Sequence, residues 1–309
     1  MGRAAFENPV YRHDGGDPAI IRGEDGGFYA FTTNSTYGGR TIHVPMLRSP
    51  DLVHWRLVGD ALPRLPRWAH GEVWGPDIRR LDGRFVLMFA ARDRLTGLMQ
   101  LGAATSARAA GPYRPGGRLV DWRHERIDPD LLLMPDGSRI LYWTEGNNVL
   151  AAPFSVDDEQ VRGPHRTVLL PIGEEGTGYQ SVVEGTWAMR HAGWIYLFTS
   201  GDRCCVPNPR YAVSVARSLS PFGPFVRFEG NPILAANASF RGPGHCSIFV
   251  DAEGGTWIVY HAMPAWSSTN ARMLMIDRLT WRDGWPVVND GRGPSLTSAA
   301  RPSRHARGG

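Results

Sequence analysis

The chain has 309 residues, with 37 Gly, 24 Pro, 11 Trp and a formal charge of +4 to which Arg301, Arg304 and Arg307 near the C-terminus contribute three. The remaining near-neutral balance offers no basic face for nucleic acid, and no apolar run approaches the roughly 18 residues needed to span a membrane. Three cysteines, Cys204, Cys205 and Cys246, are an odd count with two members adjacent, which argues against a disulfide scaffold and, with no N-terminal leader pattern, predicts a reduced cytoplasmic setting.

In chain order, one unit recurs. Asp17 precedes Gly26 and Phe28-Tyr29-Ala30-Phe31; Asp77 precedes Gly83 and Phe85-Val86-Leu87-Met88-Phe89; Asp128 precedes Gly137 and Ile140-Leu141-Tyr142-Trp143. Glu184 then precedes Gly193 and Trp194-Ile195-Tyr196-Leu197-Phe198, and His245 precedes Gly254 and Thr256-Trp257-Ile258-Val259-Tyr260. The polar residue stands 9 positions before its glycine in four units and 6 in the second, and successive polar positions are 60, 51, 56 and 61 residues apart. Such a unit holds four short strands and a loop. Glycine at each apolar run accepts the positive φ of a tight hairpin, and helical patterning is nearly absent. The pattern predicts an all-β five-bladed β-propeller filling residues 1–290 as one domain, with 291–309 a disordered tail; a β-sandwich is the alternative.

In a propeller the innermost strands line one axis, so Asp17, Asp77, Asp128, Glu184 and His245 are expected around a shared central cavity. Unpaired charge is costly to bury, so four acids and a histidine gathered there point to chemistry or ion binding rather than packing. Taken singly, each Asp also reads as a turn cap.

The local contexts are Gly16-Asp17-Pro18, Trp74-Gly75-Pro76-Asp77-Ile78, Ile127-Asp128-Pro129-Asp130, Val183-Glu184-Gly185-Thr186-Trp187 and Gly242-Pro243-Gly244-His245. With these motifs in this order, the chain resembles glycoside hydrolase family 43, and the likeness runs on into Arg272-Met273-Leu274-Met275-Ile276-Asp277 and Gly284-Trp285-Pro286-Val287. The resemblance implies inverting hydrolysis of arabinofuranosyl or xylosyl linkages in oligosaccharides or polysaccharides. Asp17 would be the general base, Glu184 the general acid, and Asp77 the carboxylate that tunes the acid. Inversion needs one protonated and one ionised carboxyl group roughly 6.5 to 9.5 Å apart, which is compatible with opposed blades.

The same likeness offers His245 as a contact for a structural calcium held through waters, with a hydrogen-bonded core histidine as the alternative; the chemistry itself calls for no cofactor. Asp128 is expected to line the channel or fix a loop, and Arg272 to reach a carboxylate or a sugar hydroxyl. Trp74, Trp187, Tyr179 and Trp266 are candidate sugar-stacking walls. Gly201-Asp202-Arg203-Cys204-Cys205 before Tyr211 resembles the arabinan-acting branch, whereas Val206-Pro207-Asn208-Pro209-Arg210 and Gly75 depart from its pattern. An exo-acting arabinofuranosidase is the favoured expectation, ahead of an endo-arabinanase, a β-xylosidase, a non-catalytic carbohydrate-binding propeller and a phosphorolytic relative.

Overall fold

The computed structural model describes residues 5–120, 123–155 and 160–303. Five antiparallel sheets follow one another along the chain. The first contains Ala19–Arg22, Phe28–Phe31, Pro45–Ser49 and Arg56–Asp60; the second Ala69–Leu81, Arg84–Asp93, Met99–Ser106 and Arg114–Arg118. The third is built on Ile127–Leu133, Arg139–Glu145 and Asn148–Ser155, and the last of these strands pairs with both Gln160–Val161 and Arg166–Leu169. Glu184–His191, Trp194–Arg203, Arg210–Ser218 and Val226–Arg227 form the fourth; Phe240–Val250, Thr256–Pro264, Met273–Arg282 and Trp285–Val288 form the fifth.

Packing between the sheets makes them blades of one ring. Five apolar clusters are buried, one at each blade junction. Phe31 and Phe89 share the cluster between the first and second blades, Met88 and Leu131 that between the second and third, and Tyr142 and Leu197 that between the third and fourth. Phe198 and Tyr260 share the next cluster, and Phe28 with Trp257 closes the circle. The predicted five-bladed β-propeller is therefore the observed fold. The hairpin glycines Gly26, Gly83, Gly137, Gly193 and Gly254 all adopt φ between 76° and 84°, which a side chain bearing Cβ resists.

The ends meet as well. Phe6–Glu7 pairs antiparallel with Thr297–Ser298, and the Val10 N–H donates to Leu274 O at 2.9 Å. The expectation of a disordered tail over residues 291–309 is corrected for residues 291–303, while 304–309 lie outside the described residues: Ser295 is buried, its N–H donating to Asp277 Oδ2 at 3.1 Å, and the Ser303 N–H reaches Asp251 Oδ2. A two-residue strand carries too little alternation to be visible in the sequence.

One backbone feature aims the site. Asp17, Gly75, Asp128, Gly185 and His245 all sit in the left-handed region, at φ 57°, 48°, 54°, 58° and 46°, within or just before the innermost strand of each blade. Around these positions the ladder to the second strand skips in the last four blades, as in a β-bulge. The fivefold-equivalent set is therefore Asp17, Gly75, Asp128, Gly185 and His245. Glu184 precedes that position by one residue, and Asp77 follows it by two.

Candidate active site

From these positions Asp17, Asp128, Glu184 and His245 line a cavity of about 360 Å³ that is also lined by Trp74 and Arg272. Glycine at the equivalent places in the second and fourth blades makes the room. A Cβ on Gly75 would lie 2.2 Å from Asp128 Oδ1, and one on Gly185 would lie 3.1 Å from His245 Cγ.

Asp17 is buried and held from several sides. Arg272 Nη1 donates to both carboxylate oxygens at 2.8 Å, and the Thr33 hydroxyl donates to Oδ2 while accepting the Gly75 N–H at 3.0 Å. Burial alone would raise this carboxyl, but Arg272, with His245, outweighs it and keeps Asp17 well below the usual carboxylate range. The Asp17 N–H donates to His261 Nδ1 at 3.1 Å. That nitrogen therefore carries no proton, so its 3.3 Å approach to Asp17 Oδ1 is a contact rather than a hydrogen bond. Burial pushes His261 down to about 4, in keeping with a neutral ring.

Glu184 is placed in the opposite protonation state. Burial, then the charges of Asp128 and Asp17, push it up to about 8, against a hydrogen bond of 2.7 Å donated by Tyr211 Oη to Oε1. Tyr211 is fixed in turn by stacking parallel to His261, ring centroids 5.8 Å apart, and by Gly244, where a Cβ would fall 2.1 Å from its ring. Asp128 accepts the Gly185 N–H at 2.8 Å, which ties it to the backbone next to the acid. Burial raises the Asp128 carboxyl too, with His245 opposing and Asp17 reinforcing. His245 stands between the carboxylates, Nδ1 3.3 Å from Asp17 Oδ1 and 4.0 Å from Asp128 Oδ1, and its backbone N–H donates to Ser200 Oγ at 2.8 Å.

Asp77 lies elsewhere. Two residues beyond the bulge, it pairs with Arg79 Nη1 at 2.7 Å and accepts the Leu131 N–H at 3.2 Å. Arg79 Nη2 binds Asp130 Oδ1 at 2.5 Å, and the guanidinium covers the Trp187 ring at 4.0 Å from its centroid. This cluster of Asp77, Arg79, Asp130 and Trp187 does not line the cavity. Asp128, not Asp77, is the carboxylate whose charge bears on Glu184. Trp187 is buried under Arg79 and Tyr179 lines no part of the cavity, so neither forms a sugar-stacking wall; Trp266, 61% exposed, is also outside it. Trp74 does line it. The sequence reading missed Thr33, Tyr211 and His261 as site residues, although a histidine inside the apolar run Thr256–Pro264 was a legible signal for the last. It also left the adjacent cysteines unbridged. Cys204 and Cys205 are disulfide-bonded, at a turn where Cys205 has φ 66°, and both line the cavity.

A calcium held directly by protein does not fit this donor set. Among the described residues no three His, Cys, Asp or Glu side chains are grouped to hold a metal ion, and the carboxylates beside His245 are already engaged by Arg272, Thr33 and the Gly185 N–H.

The model of the glycosyl hydrolases family 43 matches residues 6–286. The chain belongs to that family. Among curated relatives, an arabinan endo-1,5-alpha-L-arabinosidase A of Aspergillus niger is 23% identical over 88% of this chain and 90% of its own length. A xylan 1,3-beta-xylosidase of a Vibrio species is 25% identical over 94% of this chain, which spans only 58% of that protein. Among solved structures, a thermostable family-43 glycoside hydrolase superposes with a TM-score of 0.83 at 24% identity, covering 97% of this chain and 99% of its own. The Cellvibrio cellulosa alpha-L-arabinanase complexed with arabinohexaose gives 0.77 at 22% identity over 92% of this chain and 98% of its own. By its family the protein is a glycoside hydrolase.

Proposed function

We propose that this glycoside hydrolase removes terminal α-L-arabinofuranosyl residues from arabinan-type or hemicellulose oligosaccharides with inversion at the anomeric carbon. The observation that carries the reading is the opposed state of two carboxyl groups on one cavity: Asp17 held ionised by Arg272, Glu184 held protonated by burial and its acidic neighbours. Glu184 gives its proton to the bridging oxygen as the bond from that oxygen to the anomeric carbon breaks. Asp17 takes a proton from the water that forms the new bond to the same carbon from the opposite face. Proton exchange with solvent then restores both groups.

A carboxylate held as low as Asp17 is a weak base, so it orients the water and takes the proton late, as the new bond to the anomeric carbon forms. Asp128 takes the tuning role, keeping the Glu184 proton in place by like-charge repulsion; the structure gives Asp77 no such contact. Arabinofuranosyl specificity is supported by length: the arabinan-acting relative is matched over nearly all of both chains, whereas the xylosidase carries a large additional portion.

Linear and branched arabinan, xylan and the nitrophenyl glycosides of arabinofuranose and xylose test the proposal, with product analysis by chromatography and early-time NMR. The expected result is arabinose as the sole initial product, released as the β-anomer. Release of longer oligosaccharides indicates endo action, preferential release of xylose a xylosidase, and binding without turnover a carbohydrate-binding propeller.

A further inference from the structure

The bridge between Cys204 and Cys205 lies on the wall of the catalytic cavity, with Cys204 half-buried and Cys205 exposed. Cys204 Sγ is 3.9 Å from Arg272 Nη1 and 3.9 Å from His261 Nε2. Both neighbours also hold Asp17: the same Nη1 donates to its two carboxylate oxygens, and His261 Nδ1 accepts its backbone N–H. Resting on the proposed role of Asp17 as base, we infer that this bridge is a redox-sensitive positioning element, which opens to a dithiol reductant and, once open, draws Arg272 away from the carboxylate.

Opening is a thiol–disulfide exchange. A thiolate of the reductant attacks the exposed Cys205 sulfur, the bond between the two cysteines breaks, and Cys204 leaves as a thiolate; the second thiol of the reductant then attacks the mixed disulfide and frees Cys205. The reductant ends as its own disulfide, having passed two electrons to the cysteines, and its two protons go to the cysteine sulfurs or to solvent. A bridged sulfur is a weak acceptor, whereas a thiolate is an anion that takes charge-assisted hydrogen bonds. At Cys204 two donors already face it. Arg272 is charged at every working pH, and His261, whose Nδ1 accepts the Asp17 N–H, carries its proton on Nε2, the nitrogen that faces the sulfur. An adjacent guanidinium favours thiolate over thiol. Arg203 and the Asp202–Arg210 ion pair adjoin Cys204 on its own segment, and Asp17, Asp128, Glu184, Tyr211 and His245 share its cavity. Burial raises the carboxyls of Asp128 and Glu184, so Asp17 is the anion that competes with the sulfur for Arg272. Because Asp17 is buried and keeps its charge through Arg272, sharing that guanidinium returns a proton to the carboxyl and removes the base.

In the test, wild-type protein is reduced with dithiothreitol, freed of reductant without oxygen, and assayed on 1,5-α-linked arabinotriose at about pH 5.5 and about pH 7.5, with the intact mass after iodoacetamide treatment counting newly freed thiols. Relative to the oxidised protein, kcat/KM should fall about tenfold or more at the higher pH, where the thiolate forms, and change less than twofold at the lower, where the sulfur keeps its proton. Reoxidation with diamide should restore the rate. Cys204→Ser, which has neither the bridge nor a thiolate at that place, should show one rate with and without dithiothreitol. Equal losses at both pH values, as a bridge of purely structural role would give, overturn the inference. So do an unchanged rate in fully reduced protein, a bridge that resists dithiothreitol, and a reductant-dependent loss in Cys204→Ser; each leaves the catalytic reading standing. Oxidised protein that turns over neither arabinotriose nor an aryl arabinofuranoside overturns the catalytic reading and this inference together.

Discussion

Two groups of buried acids lie one above the other in this propeller, and they behave differently. Near the left-handed positions, Asp17, Asp128 and Glu184 face a cavity, and only one of them, Asp17, is paired with an arginine. On the second and third blades, two residues beyond the left-handed position, Asp77 and Asp130 share Arg79, whose guanidinium covers the buried Trp187. Burial raises Asp130 to about 8, with Asp77 reinforcing and Arg79 opposing, so an elevated carboxyl alone does not mark an active site. What separates the groups is access. The upper acids have one ionised and one protonated member on the same open cavity, while the lower acids spend their oxygens on Arg79 and on the backbone N–H groups of Leu131 and Ala188.

The contrast can be broken most forcefully from above. Glu184→Gln and Asp17→Asn should each lower kcat on arabinotriose by about 10² to 10⁴-fold, with circular dichroism and melting behaviour retained. A Glu184→Gln protein of normal turnover on an unactivated leaving group contradicts the assignment. Gly75→Ala comes next. Its new Cβ would fall 2.2 Å from Asp128 Oδ1 and must displace that carboxylate, so kcat should drop at least tenfold although no acid has been altered.

The lower group should respond in stability instead. Asp77→Ala leaves Arg79 with Asp130 as its remaining carboxylate partner, and urea unfolding should show a loss of about 3 kcal/mol. Turnover per folded molecule should stay within about threefold of wild type. The smallest effect concerns the acid limb of activity. Asp17 must be ionised to act, and Arg272 is the leading influence that holds it low. Arg272→Gln should therefore move the acid limb of kcat/KM to higher pH, and an unmoved limb would show that Arg272 serves only the sugar.

Much of this was legible in the sequence for physical reasons. Hairpin glycines before apolar runs repeat because every blade solves the same problem, a tight turn followed by a strand buried on both faces. Asp17, Glu184 and His245 could be gathered because ring closure brings corresponding stretches of the blades together, and Arg272 was reached through the family resemblance. Asp77 misled because its motif looked equivalent, yet it stands 6 residues before Gly83 where the others stand 9, and Gly75, 8 residues before, occupies the bulge. A glycine gives no chemical signal at a position where its neighbours carry carboxylates. Thr33, Tyr211 and His261 were hidden for another reason: their partners lie across blade boundaries, and those contacts depend on how the ring curves rather than on local pattern. The closing pair of Phe6–Glu7 and Thr297–Ser298 is too short to announce itself.

The division of labour between the two groups meets its most direct test in the pH dependence of kcat for Asp128→Asn and Asp77→Asn, measured side by side on 1,5-α-linked arabinotriose, whose unactivated leaving group needs the proton of the acid. In wild type the protonated acid is lost as pH rises through about 8, so activity should fall above that point. With the Asp128 charge removed, Glu184 loses its proton more readily and the alkaline limb should move to lower pH. Asp77→Asn should leave that limb where it is. An alkaline limb that shifts for Asp77→Asn and stays fixed for Asp128→Asn would contradict the account.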